Sequence, residues 1–91
     1  MPFKFSHAEH LLMRRGWVLI LFRSKNILGQ ENFTYVLALD DQMRHLEQMT
    51  AANKFIDLSQ YGHIVHSGLG VPDNTDRQKA EDACNKIFRN N

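Results

Sequence analysis

The chain has a single cysteine, no long apolar run and almost no net charge, and each shortage removes a class of protein. One thiol, Cys84, cannot form an intrachain disulfide, so the fold must hold without staples and suits a reducing compartment such as the cytoplasm. The longest apolar run, "WVLILF" over residues 17–22, is about a third of the roughly 20 residues a membrane-spanning helix requires. The opening "MPFKFSHAEH" has no apolar stretch behind its lysine and does not read as a signal peptide. With 11 Lys and Arg against 10 Asp and Glu the formal charge is +1, too weak a field to attract nucleic acid by itself.

What is present is a globular composition. Of 91 residues, 43% are hydrophobic and 23% charged, which excludes disorder by composition and fits one domain spanning 1–91. A chain this short buries only roughly 60 to 65% of its unfolded surface, so self-association is a natural supplement to a small core. Neither an internal repeat nor a low-complexity tract divides it.

Local patterns give six elements in the order α-β-β-α-β-α. Ser6 with Glu9 resembles a capping box, Ala8, Leu11 and Leu12 share a helical face, and Gly16 suits a helix C-terminus, so a helix is expected over 7–15. "WVLILF" is too short for a buried helix and apolar on both faces, as a strand covered from both sides would be. "FTYVLAL" alternates over 33–39 and makes a second strand. Asp40 and Asp41 open a helix near 41–53, with Met43, Leu46, Met49 and Thr50 inward. A third strand is expected at 61–67. Ala80, Ala83, Cys84, Ile87 and Phe88 follow helical spacing after "PDNTD", giving a last helix over 75–89. Connection rules favour an α+β fold: a three-stranded mixed sheet of order 2-1-3, covered by helices, with the passage from 33 to 67 a crossover to a parallel strand.

The stretch "SQYGHIVHSGLGVPDN", residues 59–74, carries the candidate ligand-binding residues His63, His66, Ser67, Gly68 and Gly70. Strict strand alternation places Tyr61, His63, Val65 and Ser67 on one side and Gly62, Ile64, His66 and Gly68 on the other, so one ion could not take both histidines. His7 and His10 would share a helical face, yet lack a third ligand. No metal or cofactor is expected. "SGLG" leading to a helix start could offer backbone N–H groups to an anion. However, the third glycine of a dinucleotide fingerprint falls at Asp73, and no Gly-Lys-Ser/Thr is present. Cys84 lies on the apolar stripe of its helix and reads as core rather than nucleophile. Asp40–Asp41 and Glu81–Asp82 read as a helix start and a solvated face.

With no convergent catalytic set, the leading expectation is a small non-catalytic protein-interaction or regulatory module, self-associating as a homodimer. Phe3, Phe5, Met13 and Trp17 are its candidate partner surface. The alternative is a nucleic-acid-binding domain using a basic edge of Arg14, Arg15, Arg23, Lys25 and Lys54.

Overall fold

The structure, a computed structural model, describes residues 3–4, 7–14, 16–51, 55–56, 60 and 62–89. These form β1 (Phe3–Lys4), β2 (His7–Arg14), β3 (Trp17–Lys25), β4 (Glu31–Leu39), α1 (Asp40–Ala51), β5 (Phe55–Ile56), β6 (Gly62–Leu69) and α2 (Asn74–Arg89). Strands β2, β3, β4 and β6 make a four-stranded sheet in that spatial order, every neighbouring pair antiparallel. The short β1 and β5 pair with each other in a separate ribbon.

The doubly apolar "WVLILF" explains the layering. In β3 five consecutive residues, Val18 to Phe22, are buried, and in β4 six, Phe33 to Ala38. Successive side chains point to opposite faces, so a run buried without interruption requires cover on both. On one face Val18, Ile20, Phe22, Val36 and Ala38 close around Leu46 of α1, with Met43 and Met49 packed against them. On the other, Leu19, Leu21, Phe33, Tyr35 and Leu37 meet Ala80 and Cys84 of α2, flanked by Trp17, Val65, Ile87 and Phe88. Each large side chain so buried contributes about 1.5–3 kcal/mol, which makes this hairpin and its two helices the thermodynamic centre of the fold.

The expected architecture is corrected in three respects. The first helix does not form: residues 7–14 are β2, paired along β3 from His7 opposite Arg23 to Arg14 opposite Trp17. A two- to three-turn helix is marginal by itself, whereas a strand here satisfies the open ladder of β3. A register shift between His10 and Leu12 leaves Leu11 as the extra residue, and this bulge breaks the alternation that would have marked a strand. Second, β4 rather than β3 lies next to β6, so the order is not 2-1-3. Third, no strand pair among the described residues is parallel. β6 begins with Gly62 opposite Ala38, at the end of the sheet where β4 finishes, so residues 40–61 leave and return instead of crossing once.

Other elements lie near their expected ranges: β3, β4, β6 and α2 extend further, and α1 is described from Asp40 to Ala51. β3 runs on to Lys25 and β4 starts at Glu31, shrinking the ten-residue connection to a turn over 26–30. Asn26 organises this turn. Its Oδ1 accepts from the backbone N–H of Leu28 and Gln30, both at 3.0 Å, and its own N–H donates to the Gln30 carbonyl at 3.0 Å. Gly29 takes the left-handed φ of 79° that the turn requires.

Gly68 is fixed by a close approach. It faces Phe33 across the β4–β6 ladder, and a Cβ there would stand 2.8 Å from Phe33 Cζ. The aromatic ring covers the glycine, a pairing that stabilises glycine in an edge strand. Gly68→Ala is therefore expected to lose about 1–3 kcal/mol in urea unfolding, through forced displacement of a buried ring. Phe33→Leu in the same chain should recover part of that loss, and a strictly additive double mutant would contradict the contact.

Candidate functional site

Strand β6 is where the sequence concentrates its polar candidates, and a bulge rearranges them. The β4–β6 register shifts between Tyr35 and Val36: Tyr35 faces His66, whereas Val36 faces Ile64, so Val65 is the extra residue. One inserted residue reverses the alternation on its far side. His63, Val65, His66 and Gly68 consequently share the α2 face, and Ile64 and Ser67 lie on the other. The placement of the two histidines on opposite faces is thus overturned. His63 lies against Trp17, ring centroids 5.9 Å apart, and His66 lies against Phe33 and Tyr35 at 5.8 and 6.1 Å. His63 is nonetheless an exposed residue at the Trp17 end, and His66 is half-buried under the start of α2.

His66 joins the sheet to the α2 cap. Its Nε2 lies 2.8 Å from Asp76 Oδ1. The other carboxylate oxygen of Asp76 accepts from Asp73 N–H at 3.0 Å, while Asp73 Oδ1 accepts from Asp76 N–H at 2.9 Å, a reciprocal capping box. An ionised carboxylate only accepts, so His66 donates through Nε2. The hydrogen bond from His66 and the N–H of Asp73 hold the Asp76 carboxyl below its ordinary value of 3.8, against a smaller opposing effect of desolvation.

An imidazole oriented by a carboxylate is one part of a nucleophilic site, but among the described residues neither Ser67 nor Cys84 supplies the other part. Ser67 projects from the opposite face. Cys84 is fully buried beneath α2, and burial, helped by Glu81, pushes its thiol up to about 11, so it stays protonated. Glu81 and Asp82 are engaged along their own helix with Arg77 and Gln78. Among the described residues no group of three or more His, Cys, Asp and Glu is placed to hold a metal ion. His7 and His10 lie on a strand rather than a helix, at the positions of β2 opposite Arg23 and Ile20.

The remaining candidates divide between the two ends of the sheet. Trp17, half-buried, packs onto the α2 core, and Phe3 belongs to β1 opposite Ile56. Met13 lies opposite Val18 on β2; the side chains of Phe3 and Met13, and all of Phe5, lie outside the described residues. Of the basic residues, Arg14 stands over the Phe88 ring at 5.1 Å, while Arg23 and Lys25 are at the far end of β3, roughly 20 Å away by strand rise. Arg23 also approaches Glu31 at 3.6 Å. Arg15 and Lys54 lie outside the described residues, so those described form no continuous basic edge. Arg14, Asn85, Phe88 and Arg89 line a cleft of about 430 Å³, but it opens at the negative C-terminal pole of α2, where cations have a local role.

Ser67, Gly68 and Gly70 lie at the opposite end, beside the 26–30 turn. With Asn32, Phe33, Thr34 and Leu69, the first two line a shallow cleft of about 310 Å³. Gly70 lines a second, of about 410 Å³, with Gln30, Glu31, Leu69 and Val71. Gly70 N–H donates to the Glu31 carbonyl at 2.7 Å and ties this segment to the turn. The result is an apolar end that the sequence reading missed: Ile27 and Leu28 at the turn tip, Leu69 and Val71 beside it. The available signal was "NILGQ", an Ile-Leu pair at a turn position normally polar. Comparison with protein-family models, curated proteins and solved structures finds no match, so the site rests on its own geometry.

The Asp76 contact predicts acid sensitivity of known sign. A carboxyl depressed in the folded state contributes stability that is complete above its unfolded value, near 3.8, and is lost as pH falls through the lower folded value. Asp76→Asn should therefore lower the melting temperature near neutral pH and flatten its fall on acidification below about pH 4. Parallel melting curves for the two chains over that range would refute the assignment.

Proposed function

We propose that the chain is a small non-catalytic protein-interaction module that engages its partner through the apolar end of the sheet. One observation carries this reading: Ile27, Leu28, Leu69 and Val71 are 103, 82, 84 and 60% exposed and lie at one end of the sheet, where the bond from Gly70 N–H to the Glu31 carbonyl ties the end of β6 to the start of β4. Scattered exposed aliphatics are ordinary on a soluble surface; four brought to one end by two different strands are a patch. Their covering would remove on the order of 500 Å² of aliphatic surface, the upper part of what a monomer ordinarily exposes. The turn is already ordered by Asn26, so little conformational entropy remains to be lost on binding.

Phosphate would gain nothing from these aliphatic side chains, and the described basic residues are dispersed, which disfavours the nucleic-acid alternative. No described helix is long and apolar enough to cross a membrane. The test is a photo-crosslinking residue at position 28, used in extracts of cells expressing the full chain. The expected adduct is destroyed by protease, resists nuclease, and falls about tenfold when Leu69→Asp is added, as removal of an apolar anchor requires. A nuclease-sensitive adduct, or one indifferent to Leu69→Asp, would overturn the reading.

A further inference from the structure

We infer that the cleft between the end of β2 and the last turn of α2 is a binding site for the phosphate group of a small molecule, held by Arg14 and Arg89. The site lies at the end of the sheet opposite the apolar tip and is independent of the interaction-module reading. Arg14 pairs with Trp17 where β2 ends. Asn85, Phe88 and Arg89 share one side of α2 at its close, because residues three and four apart are neighbours on a helix. Together these four line a cleft of about 430 Å³, within the roughly 300–1,000 Å³ of small-molecule pockets. Arg14 stands over the Phe88 ring at 5.1 Å, a contact that holds a guanidinium by its face and leaves the N–H groups in its plane for an oxyanion.

The charge at this cleft exceeds what the fold uses. The carbonyl pole of α2 carries roughly half a negative charge, and Lys86 and Arg89 of its own last turn already oppose it with a positive charge each. Arg14 comes from another element and adds to them. No lining residue is acidic, and neither guanidinium has a carboxylate partner among the described residues, whereas Arg23 pairs with Glu31 and Arg77 with Glu81. Glu81 and Asp82, the acids of α2 nearest in sequence, are bonded toward the helix start by Arg77 and Gln78. A phosphate monoester carries about −1.5 to −2 charges at neutral pH and offers three acceptor oxygens, which matches two forked guanidiniums with the Asn85 amide as a neutral donor. A carboxylate, with one charge and two oxygens, would leave one guanidinium uncompensated. Arg23 and Lys25 are about 20 Å away along β3, so the cleft grips one phosphate and not the run of them that a polyanion presents.

The experiment is an NMR titration of the full chain with phenyl phosphate at fixed ionic strength, following the arginine Nε–H and asparagine side-chain amide signals. Those of Arg14, Arg89 and Asn85 should shift saturably, with half-saturation at about 1 mM or below. Arg14→Gln and Arg89→Gln should each weaken binding at least tenfold, as loss of a charge-assisted contact requires, while Arg23→Gln leaves it unchanged. Both arginines are exposed, so the variants should keep the dispersed amide spectrum of the folded chain. Arg14→Lys keeps the charge but loses the fork, and is expected to bind with an affinity between those of the original chain and Arg14→Gln. Equal shifts when chloride replaces the phosphate, equal weakening by Arg23→Gln, or no saturation by about 20 mM overturns the inference. So does a single-stranded oligonucleotide that binds at least tenfold tighter than phenyl phosphate through the same two arginines, since the cleft would then be part of a nucleic-acid surface. None of these outcomes bears on the position-28 adduct, so this inference and the interaction-module reading fail separately.

Discussion

Everything in this fold depends on two adjacent strands that are apolar on both faces. Once β3 and β4 pair, Leu19 against Leu37 and Ile20 against Val36, the hairpin presents a water-averse surface above and below. Neither face can stay open at a cost of about 25 cal/mol per Å². With two helices and two faces, the assignment follows: Leu46 of α1 closes one and Ala80 with Cys84 of α2 the other. Small residues at 80 and 84 let α2 approach closely, and the bulk on that face comes from Phe33 and Tyr35 in the sheet. β2 and β6 then occupy the ladder positions on either side.

The two edge strands each carry a bulge, at Leu11 and at Val65, and these bulges account for most of the distance between the sequence pattern and the structure. Alternation is a reliable guide only while the ladder is unbroken. In β2 the extra residue turned a strand into something with helical spacing at Ala8, Leu11 and Leu12. In β6 it carried His66 to the face of His63 and brought it to Asp76, linking the capping box of α2 to the sheet. Bulges also distort an exposed edge and discourage unwanted strand pairing.

What could be read from the sequence was therefore whatever strong local periodicity determined. The α2 stripe, the doubly covered β3, the alternation of β4 and the acidic start of α1 depend on short-range patterning, and those elements lie where that patterning places them. Strand order and direction depend on how residues 40–61 travel, and no local pattern records that an excursion returns to the end it left. Of the candidate site, Ser67, Gly68 and Gly70 were visible as turn chemistry. Ile27 and Leu28, about forty residues away in the chain, come to the same end of the sheet only through the β4–β6 register.

The apolar end itself follows from a mismatch of lengths. A strand rises about 3.3 Å per residue and a helix 1.5 Å, so the nine-residue strands β3 and β4 extend about 30 Å, while α1 and α2, of 12 and 16 residues, reach about 18 and 24 Å. The hairpin must outrun its helical cover at one end. α1 starts directly after β4 at the end opposite the turn, and α2 makes its first sheet contact through His66 and Asp76, short of the turn. Towards the turn the α1 face of the hairpin changes from apolar to polar while staying buried: Ser24, hydrogen-bonded to Asn32 at 2.5 Å, and Thr34, opposite Ser67, are 6 and 7% exposed. At the tip the sequence does the reverse, setting Ile27 and Leu28 in water on a turn that Asn26 holds rigid, so the same geometry that deprives the tip of internal cover makes it a preformed contact for another surface.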